Sequence, residues 1–134
     1  MGWSSWNKFG CGINEDIIKQ TADLMVSTGL RDAGYIYLNI DDCWQGERDS
    51  LGFIQPDPVT FPSGMKALGD YIHARGLKFG IYSDAGRATC AKRVRSLGHE
   101  YQAPLSYASW GVDFLHYDWC FSETIHPLRP YTPI

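Results

Sequence analysis

The chain has 134 residues, is 44% hydrophobic and 20% charged, and carries a formal net charge of −3, which fits one ordinary globular domain and argues against a disordered or nucleic-acid-binding protein. The only basic cluster, Lys92, Arg93 and Arg95, reads as a solvated loop. No apolar run approaches the length of a membrane span, so neither nucleic acid nor membrane is expected as a partner.

Met1 lies directly against Gly2-Trp3 without the basic-then-apolar layout of a signal peptide, and it reads as an internal methionine rather than a true start. From Met1 to Phe9 a short strand opens into a polar loop, with Trp6 at the strand's exit. Asn14 is placed to cap a helix: Glu15 and Asp16 follow in its first turn, and Ile17, Ile18, Ala22, Leu24 and Met25 recur at roughly helical spacing until Gly29. Tyr35 to Ile40 then reads as a strand of aromatic and β-branched residues that ends on Asp41-Asp42-Cys43-Trp44.

Between Gln45 and Ser63 the three prolines Pro56, Pro58 and Pro62 break periodicity and predict a long surface loop. A second helix starts at Ser63, with Met65, Leu68, Tyr71 and Ile72 on its apolar face, and stops at Gly76. Leu77 to Tyr82 is the third strand and ends on Ser83-Asp84. After a loop carrying Cys90, a short helix over 104–110 leads into Val112, Phe114 and Leu115, the apolar part of a strand expected to be buried in a sheet and closed by Asp118. The residues from His126 to Ile134 stop without a closing element.

Strand, helix, strand, helix, strand, helix, strand, with crossovers of this length, implies parallel strands with helices outside. Carboxylates at successive strand exits favour a β/α barrel, and the absence of a Gly-rich phosphate loop after the first strand counts against a nucleotide fold. A complete barrel typically takes about 250 residues, so the expectation is about four β/α units: the first half of a (β/α)8 TIM barrel, residues 1–134 being a partial catalytic domain that stops before the later strands.

Read from its own stretch, Asp118 is either a nucleophile or general base on a rigid strand tip or a residue that only caps the next turn. The content of five Trp and eight Tyr suits sugar binding, because the apolar face of a pyranose packs on a ring while its hydroxyls need acceptors, although structural aromatics are commoner. The double acid Asp41-Asp42 alternatively fits a turn or a metal pair. Four cysteines at 11, 43, 90 and 120 lack the CxxC spacing of a zinc site; three disulfide pairings are open, and four reduced core thiols are the other reading.

Met1-Gly-Trp-Ser-Ser-Trp-Asn7, Asn39-Ile-Asp-Asp-Cys-Trp44, Lys78-Phe-Gly-Ile-Tyr-Ser-Asp-Ala-Gly86 and Trp110 to Cys120 together resemble glycoside hydrolase family 27, the α-galactosidases and α-N-acetylgalactosaminidases. The resemblance implies a retaining glycosidase that cleaves terminal α-linked D-galactose from oligosaccharides or glycoconjugates, without metal or cofactor. Carried over by position, Asp118 matches the nucleophile, Asp41 and Asp42 the acceptors for galactose hydroxyls, and Trp6 the ring against the sugar. Tyr82 and Cys90 match further lining positions. The same resemblance pairs Cys11 with Cys43 and Cys90 with Cys120, and so implies secretion or another oxidising compartment. Three places depart from the family pattern: His116 stands where many members have a lysine that donates to a sugar hydroxyl, Trp119 replaces a common Asn, and Val94-Arg95 stands in a loop where Pro-Gly often precedes Ser-Leu. The matching general acid is expected beyond Ile134. The contrasting expectations are a sugar-binding half barrel without catalysis or an inactive fragment, and a metal-dependent enzyme built on Asp41 and Asp42; residues 1–134 alone are expected to be inactive.

Overall fold

The structure, a computed structural model, describes residues 1–123; the segment from His126 to Ile134 lies outside the described residues. Four parallel strands form one sheet in the order β1 (Gly2–Ser4), β2 (Tyr37–Ile40), β5 (Lys78–Asp84), β6 (Phe114–Asp118). Between them in the chain run α1 (Trp6–Phe9), α2 (Glu15–Ser27), β3 (Gln45–Arg48), β4 (Ile54–Pro56), α3 (Gly64–His73) and α4 (Gln102–Ser109).

Asn14 caps α2 as expected, its side-chain oxygen accepting from the Ile17 N–H at 2.9 Å. Ser63 does not cap α3 with its side chain. Its N–H and hydroxyl both donate at 3.0 Å to Glu15, so one carboxylate in the first turn of α2 anchors the start of α3. Pro104 sits in the first turn of α4, where a missing N–H costs nothing.

Strand residues alternate between two faces. Leu38 and Ile40 on β2 pair in register with Phe79 and Ile81 on β5 and join Ile18, Ala22 and Met25 of α2 and Met65, Leu68 and Ile72 of α3 in the main core. Helix α3 reaches the sheet closely because Gly69 has no side chain: a Cβ there would stand 2.7 Å from the Trp110 carbonyl oxygen and 3.0 Å from the Phe79 ring. Tyr37, Asn39, Gly80 and Tyr82 belong to the opposite face, on which the candidate site residues lie. Trp44 is core, fully buried, its indole N–H donating to the Tyr82 carbonyl at 2.9 Å and its ring edge-on to Trp110.

Two expectations need correction. The stretch from Gln45 to Ser63 is not all loop: Gln45–Arg48 and Ile54–Pro56 form an antiparallel ribbon outside the main sheet. Pro56 is tolerated because it ends a short edge strand, where its N–H is not required. The last strand is not buried. Phe114 is 47% and Leu115 37% exposed, because β6 is an edge of the sheet and, among the described residues, no strand pairs with its outer side. Val112, just before it, is partly buried against the core.

Candidate active site

Parallel strands bring their exit ends to one rim, so the residues that end β2, β5 and β6 meet although they are about 40 residues apart in sequence. All seven candidate residues, Trp6, Asp41, Asp42, Tyr82, Cys90, His116 and Asp118, line one hollow of about 310 Å³ together with Ser4 and Asn7. A larger hollow of about 600 Å³, lined by Trp3, Tyr37 and Phe114 among others, runs along the apolar part of the same sheet face. It is lined by no carboxylate, so the smaller one is the candidate site.

Asp41 and Asp42 follow β2 and are 6% and 1% exposed. Asp41 is held by four donors. Its Oδ2 accepts from the Ser4 hydroxyl at 2.9 Å, the Asn39 amide at 3.5 Å and His116 Nδ1 at 3.3 Å; its Oδ1 accepts from the Asp42 N–H at 2.9 Å. Its own N–H donates to Ser5 Oγ at 3.0 Å. Asp42 accepts from the Cys43 N–H at 2.8 Å and, across 49 residues, from the Ala91 N–H at 2.8 Å. Each carboxylate oxygen has about two acceptor positions, so Asp42, with one donor on each oxygen, keeps two for a ligand, whereas Asp41 keeps about one, on Oδ1, its Oδ2 being fully engaged. The tip of β2 is fixed by backbone strain as well as by bonds: Cys43 has φ 78, a left-handed conformation that a non-glycine residue adopts only when its surroundings impose it.

Asp118 ends β6 directly opposite Asp84 of β5. It accepts from the Trp119 N–H at 2.8 Å, and the Tyr82 hydroxyl stands 3.3 Å from its Oδ2. Burial, together with the charges of Asp118, Asp42 and Asp84 and against a lowering contact at Cys90, pushes the Tyr82 hydroxyl well above an ordinary phenol, so it remains a proton donor. The Tyr82 and His116 rings meet edge-on at 5.1 Å between centroids. Trp6, the first residue of the single-turn helix α1, is 41% exposed and lines the hollow.

The structure joins Cys11 to Cys43 and Cys90 to Cys120, with Cα–Cα distances of 5.1 and 5.3 Å, an arrangement consistent with an oxidising compartment. The second bridge ties the loop after β5 to the end of β6, beside Asp118. Ligand atoms of Asp84, Cys90, Asp118 and Cys120 lie within 4.8 Å of one another. Because both sulfurs are in a disulfide they are not thiolates, and the set lacks the donors of a zinc centre. Among the described residues no helix is long and apolar enough to cross a membrane.

Several supporting residues escaped the sequence reading. Asn39 is a polar residue in a buried strand, a signal in itself. Ser4 and Ser5 carry no comparable mark, since serine after a short strand is ordinary.

The sequence model of the family described as alpha galactosidase A matches residues 1–132. Alpha-galactosidase A of Cellvibrio japonicus is 62% identical over 131 residues, covering 98% of this chain and 32% of that protein. The crystal structure of alpha-galactosidase I from Mortierella vinacea superposes with a TM-score of 0.90 at 48% identity, over 92% of this chain and 32% of that one. The Saccharomyces cerevisiae alpha-galactosidase solved with raffinose gives a TM-score of 0.90 at 42% identity, over 92% and 27%. This chain thus spans about a third of the length of these relatives, and its parallel sheet with outer helices is part of their (β/α)8 barrel. By sequence, by fold and by the motifs at its strand exits, the chain belongs to the α-galactosidase family, glycoside hydrolase family 27, and matches the N-terminal part of its members.

Proposed function

We propose that residues 1–134 are a partial catalytic barrel domain carrying the nucleophile half of a retaining α-galactosidase site, which releases terminal α-linked D-galactose from oligosaccharides or glycoconjugates. One observation carries the reading: Asp41, Asp42 and Asp118, from two strand exits, converge with Trp6 and Tyr82 on a single hollow. Relatives named for α-galactoside hydrolysis, one of them solved with raffinose, support the substrate class.

Asp118 attacks the anomeric carbon as the bond to the leaving oxygen breaks, and a carboxylic acid about 5 to 5.5 Å away protonates that oxygen. We assign the acid to the part of the full-length protein beyond Ile134. Asp42, with two acceptor positions free, and Asp41, with one, take the sugar hydroxyls, while Trp6 packs on the apolar face of the ring. His116 is placed by Asp41 to meet a hydroxyl from its other ring nitrogen. The disulfides fit secretion or another oxidising compartment.

The test is made on the full-length protein. A fluorinated galactosyl donor that slows deglycosylation should leave a covalent sugar on Asp118, and Asp118→Gly should lose about 10⁴-fold or more in kcat while yielding the inverted β-galactosyl azide when azide is added. A label on any other residue, or wild-type turnover by Asp118→Gly, refutes the assignment. Sugar binding without any turnover by the wild-type protein would instead identify a binding module.

A further inference from the structure

The reading above leaves one fully buried carboxylate unused. Asp84 ends β5, is 0% exposed, and stands directly opposite Asp118 in the strand register. Its Oδ1 accepts from the Gly86 N–H at 2.5 Å and the Cys120 N–H at 3.2 Å; its Oδ2 accepts from the Cys120 N–H at 3.0 Å. The turn that supplies these donors needs glycine, since a Cβ on Gly86 would overlap the Cys120 carbonyl oxygen at 1.6 Å. So far this is a scaffold, a carboxylate fastening the end of β6 to the end of β5.

The remaining contact is of another kind. The Tyr82 hydroxyl lies 3.3 Å from Asp84 Oδ2 and also 3.3 Å from Asp118 Oδ2. A phenol has one proton and serves one carboxylate at a time. Cys90 Sγ, 3.4 Å from the hydroxyl and 3.3 Å from Asp118, carries no hydrogen because it is bonded to Cys120, so it does not replace that proton.

We propose that Asp84 is a positioning residue that acts through Tyr82: the hydroxyl donates to Asp84 while Asp118 attacks, and turns to Asp118 when that carboxylate departs. The inference rests on Asp118 being the nucleophile. In the first half-reaction a bond forms between Asp118 and the anomeric carbon, the glycosidic bond breaks, and the leaving oxygen takes its proton from the general acid. A hydrogen bond to Asp118 holds the charge this step must give up, so it is a brake. Asp84 offers the same proton an equidistant anionic acceptor and releases the brake. In the second half-reaction water attacks the anomeric carbon, the ester bond to Asp118 breaks, and the charge returns to Asp118, where the hydroxyl now helps. The phenolic proton stays on its oxygen throughout, consistent with burial and neighbouring carboxylates raising Tyr82.

A purely structural Asp84 and a proton-directing one respond differently to Asp84→Asn. The amide keeps an oxygen for the Gly86 N–H but turns a donor toward Tyr82, whose own proton is then confined to Asp118. In the full-length protein, rapid-mixing kinetics with a nitrophenyl α-galactoside should show glycosylation slowed about tenfold or more, deglycosylation within about threefold of wild type, and loss of any initial burst. In a Tyr82→Phe background the same substitution should change glycosylation by less than about twofold. Equal slowing of both half-reactions, or an undiminished effect in Tyr82→Phe, would leave Asp84 as a fastening for the Cys120 turn alone. If Asp84→Asn does not fold, Tyr82→Phe decides by itself. Deglycosylation should fall about tenfold with glycosylation unimpaired, and the opposite pattern overturns the proposal. Mapping the fluorosugar label separates the two layers: a label off Asp118 removes the parent reading, whereas a label on Asp118 with unaltered kinetics in Asp84→Asn removes only this one.

Discussion

The acidic residues at the strand exits and those on the helical shell are the same chemical groups held in opposite ways. On the shell, Glu15 pairs with Lys19, Asp23 with Arg75, Asp70 with Lys66 and Asp113 with His73. At the exits, Asp42, Asp84 and Asp118 are held by backbone N–H groups and the Tyr82 hydroxyl, and among the described residues only Asp41 touches a titratable base, His116. A neutral donor fixes a carboxylate without cancelling its charge. Several uncancelled charges in one hollow repel one another, an arrangement that stability alone would not favour. It suits a site whose transition state develops positive charge on a sugar ring, as glycoside hydrolysis does.

Exchanging acid for amide at each region should break or sharpen this contrast. Asp41→Asn in the full-length protein removes the charged acceptor that we propose for a sugar hydroxyl. We expect kcat/KM to fall by the loss of one charge-assisted bond, about 1.5 to 3 kcal/mol or more, with only a small change in melting temperature. The fold tolerates the exchange because the partners adapt: the Ser4 hydroxyl rotates to accept, and a neutral His116 presents either tautomer. A large drop in stability with kcat/KM retained would mean that Asp41 belongs functionally with the shell.

These two regions were unequally legible in the sequence. Asp41, Asp42 and Asp118 stood out because each ends an apolar strand, a local pattern, and the Asn14 cap was equally local. Asp84 showed the same pattern, yet its environment was hidden: its key donor is the Cys120 amide, 36 residues on, and its burial depends on how the loops close. The contact of His116 with Asp41 spans 75 residues and follows from strand order, which periodicity does not give. The ribbon of Gln45–Arg48 and Ile54–Pro56 was masked by prolines and by strands too short to alternate. The exposure of β6 reflects its place at a sheet edge, whereas its composition speaks only of an apolar strand.

On the shell the expected effects are smaller and fall on stability. Asp113 accepts from the Phe79 N–H and from His73, both at 2.8 Å, fastening the start of β6 to β5 and to α3. Desolvation raises its carboxyl, but the bonds from His73 and Phe79 outweigh it, so the net shift is downward. A lowered acid stabilises the fold above its unfolded value, about 3.9, and that contribution disappears as pH falls through the folded value. Asp113→Asn should therefore cost about 1 kcal/mol at pH 7, discounted for its exposure, and the difference from wild type should shrink in denaturation curves as the pH is lowered below about 3.9. A difference that persists unchanged into acid would show that packing rather than charge was lost.

The smallest effect comes from the most exposed pair, and its sign is the informative part. Lys66 and Asp70 lie one turn apart on α3 with side chains 59% and 60% exposed. Their order opposes the helix: a cation stands near the N-terminus and an anion toward the C-terminus, the reverse of what the backbone dipole favours, and acid-before-base is the better i,i+4 orientation. The pair thus offsets part of its own attraction. Lys66→Glu combined with Asp70→Lys keeps the ion pair, reverses it, and preserves net charge. We expect a gain of about 0.5 kcal/mol at low ionic strength, shrinking in high salt as exposed charges are screened. Urea titrations at two salt concentrations would read it, and a loss of stability would mean that another group governs these side chains. Activity should stay at the wild-type level, because no shell carboxylate lines the hollow. A change in kcat/KM from this reversal would show that charge on the shell reaches the proposed sugar site, and the two regions would then no longer count as separate.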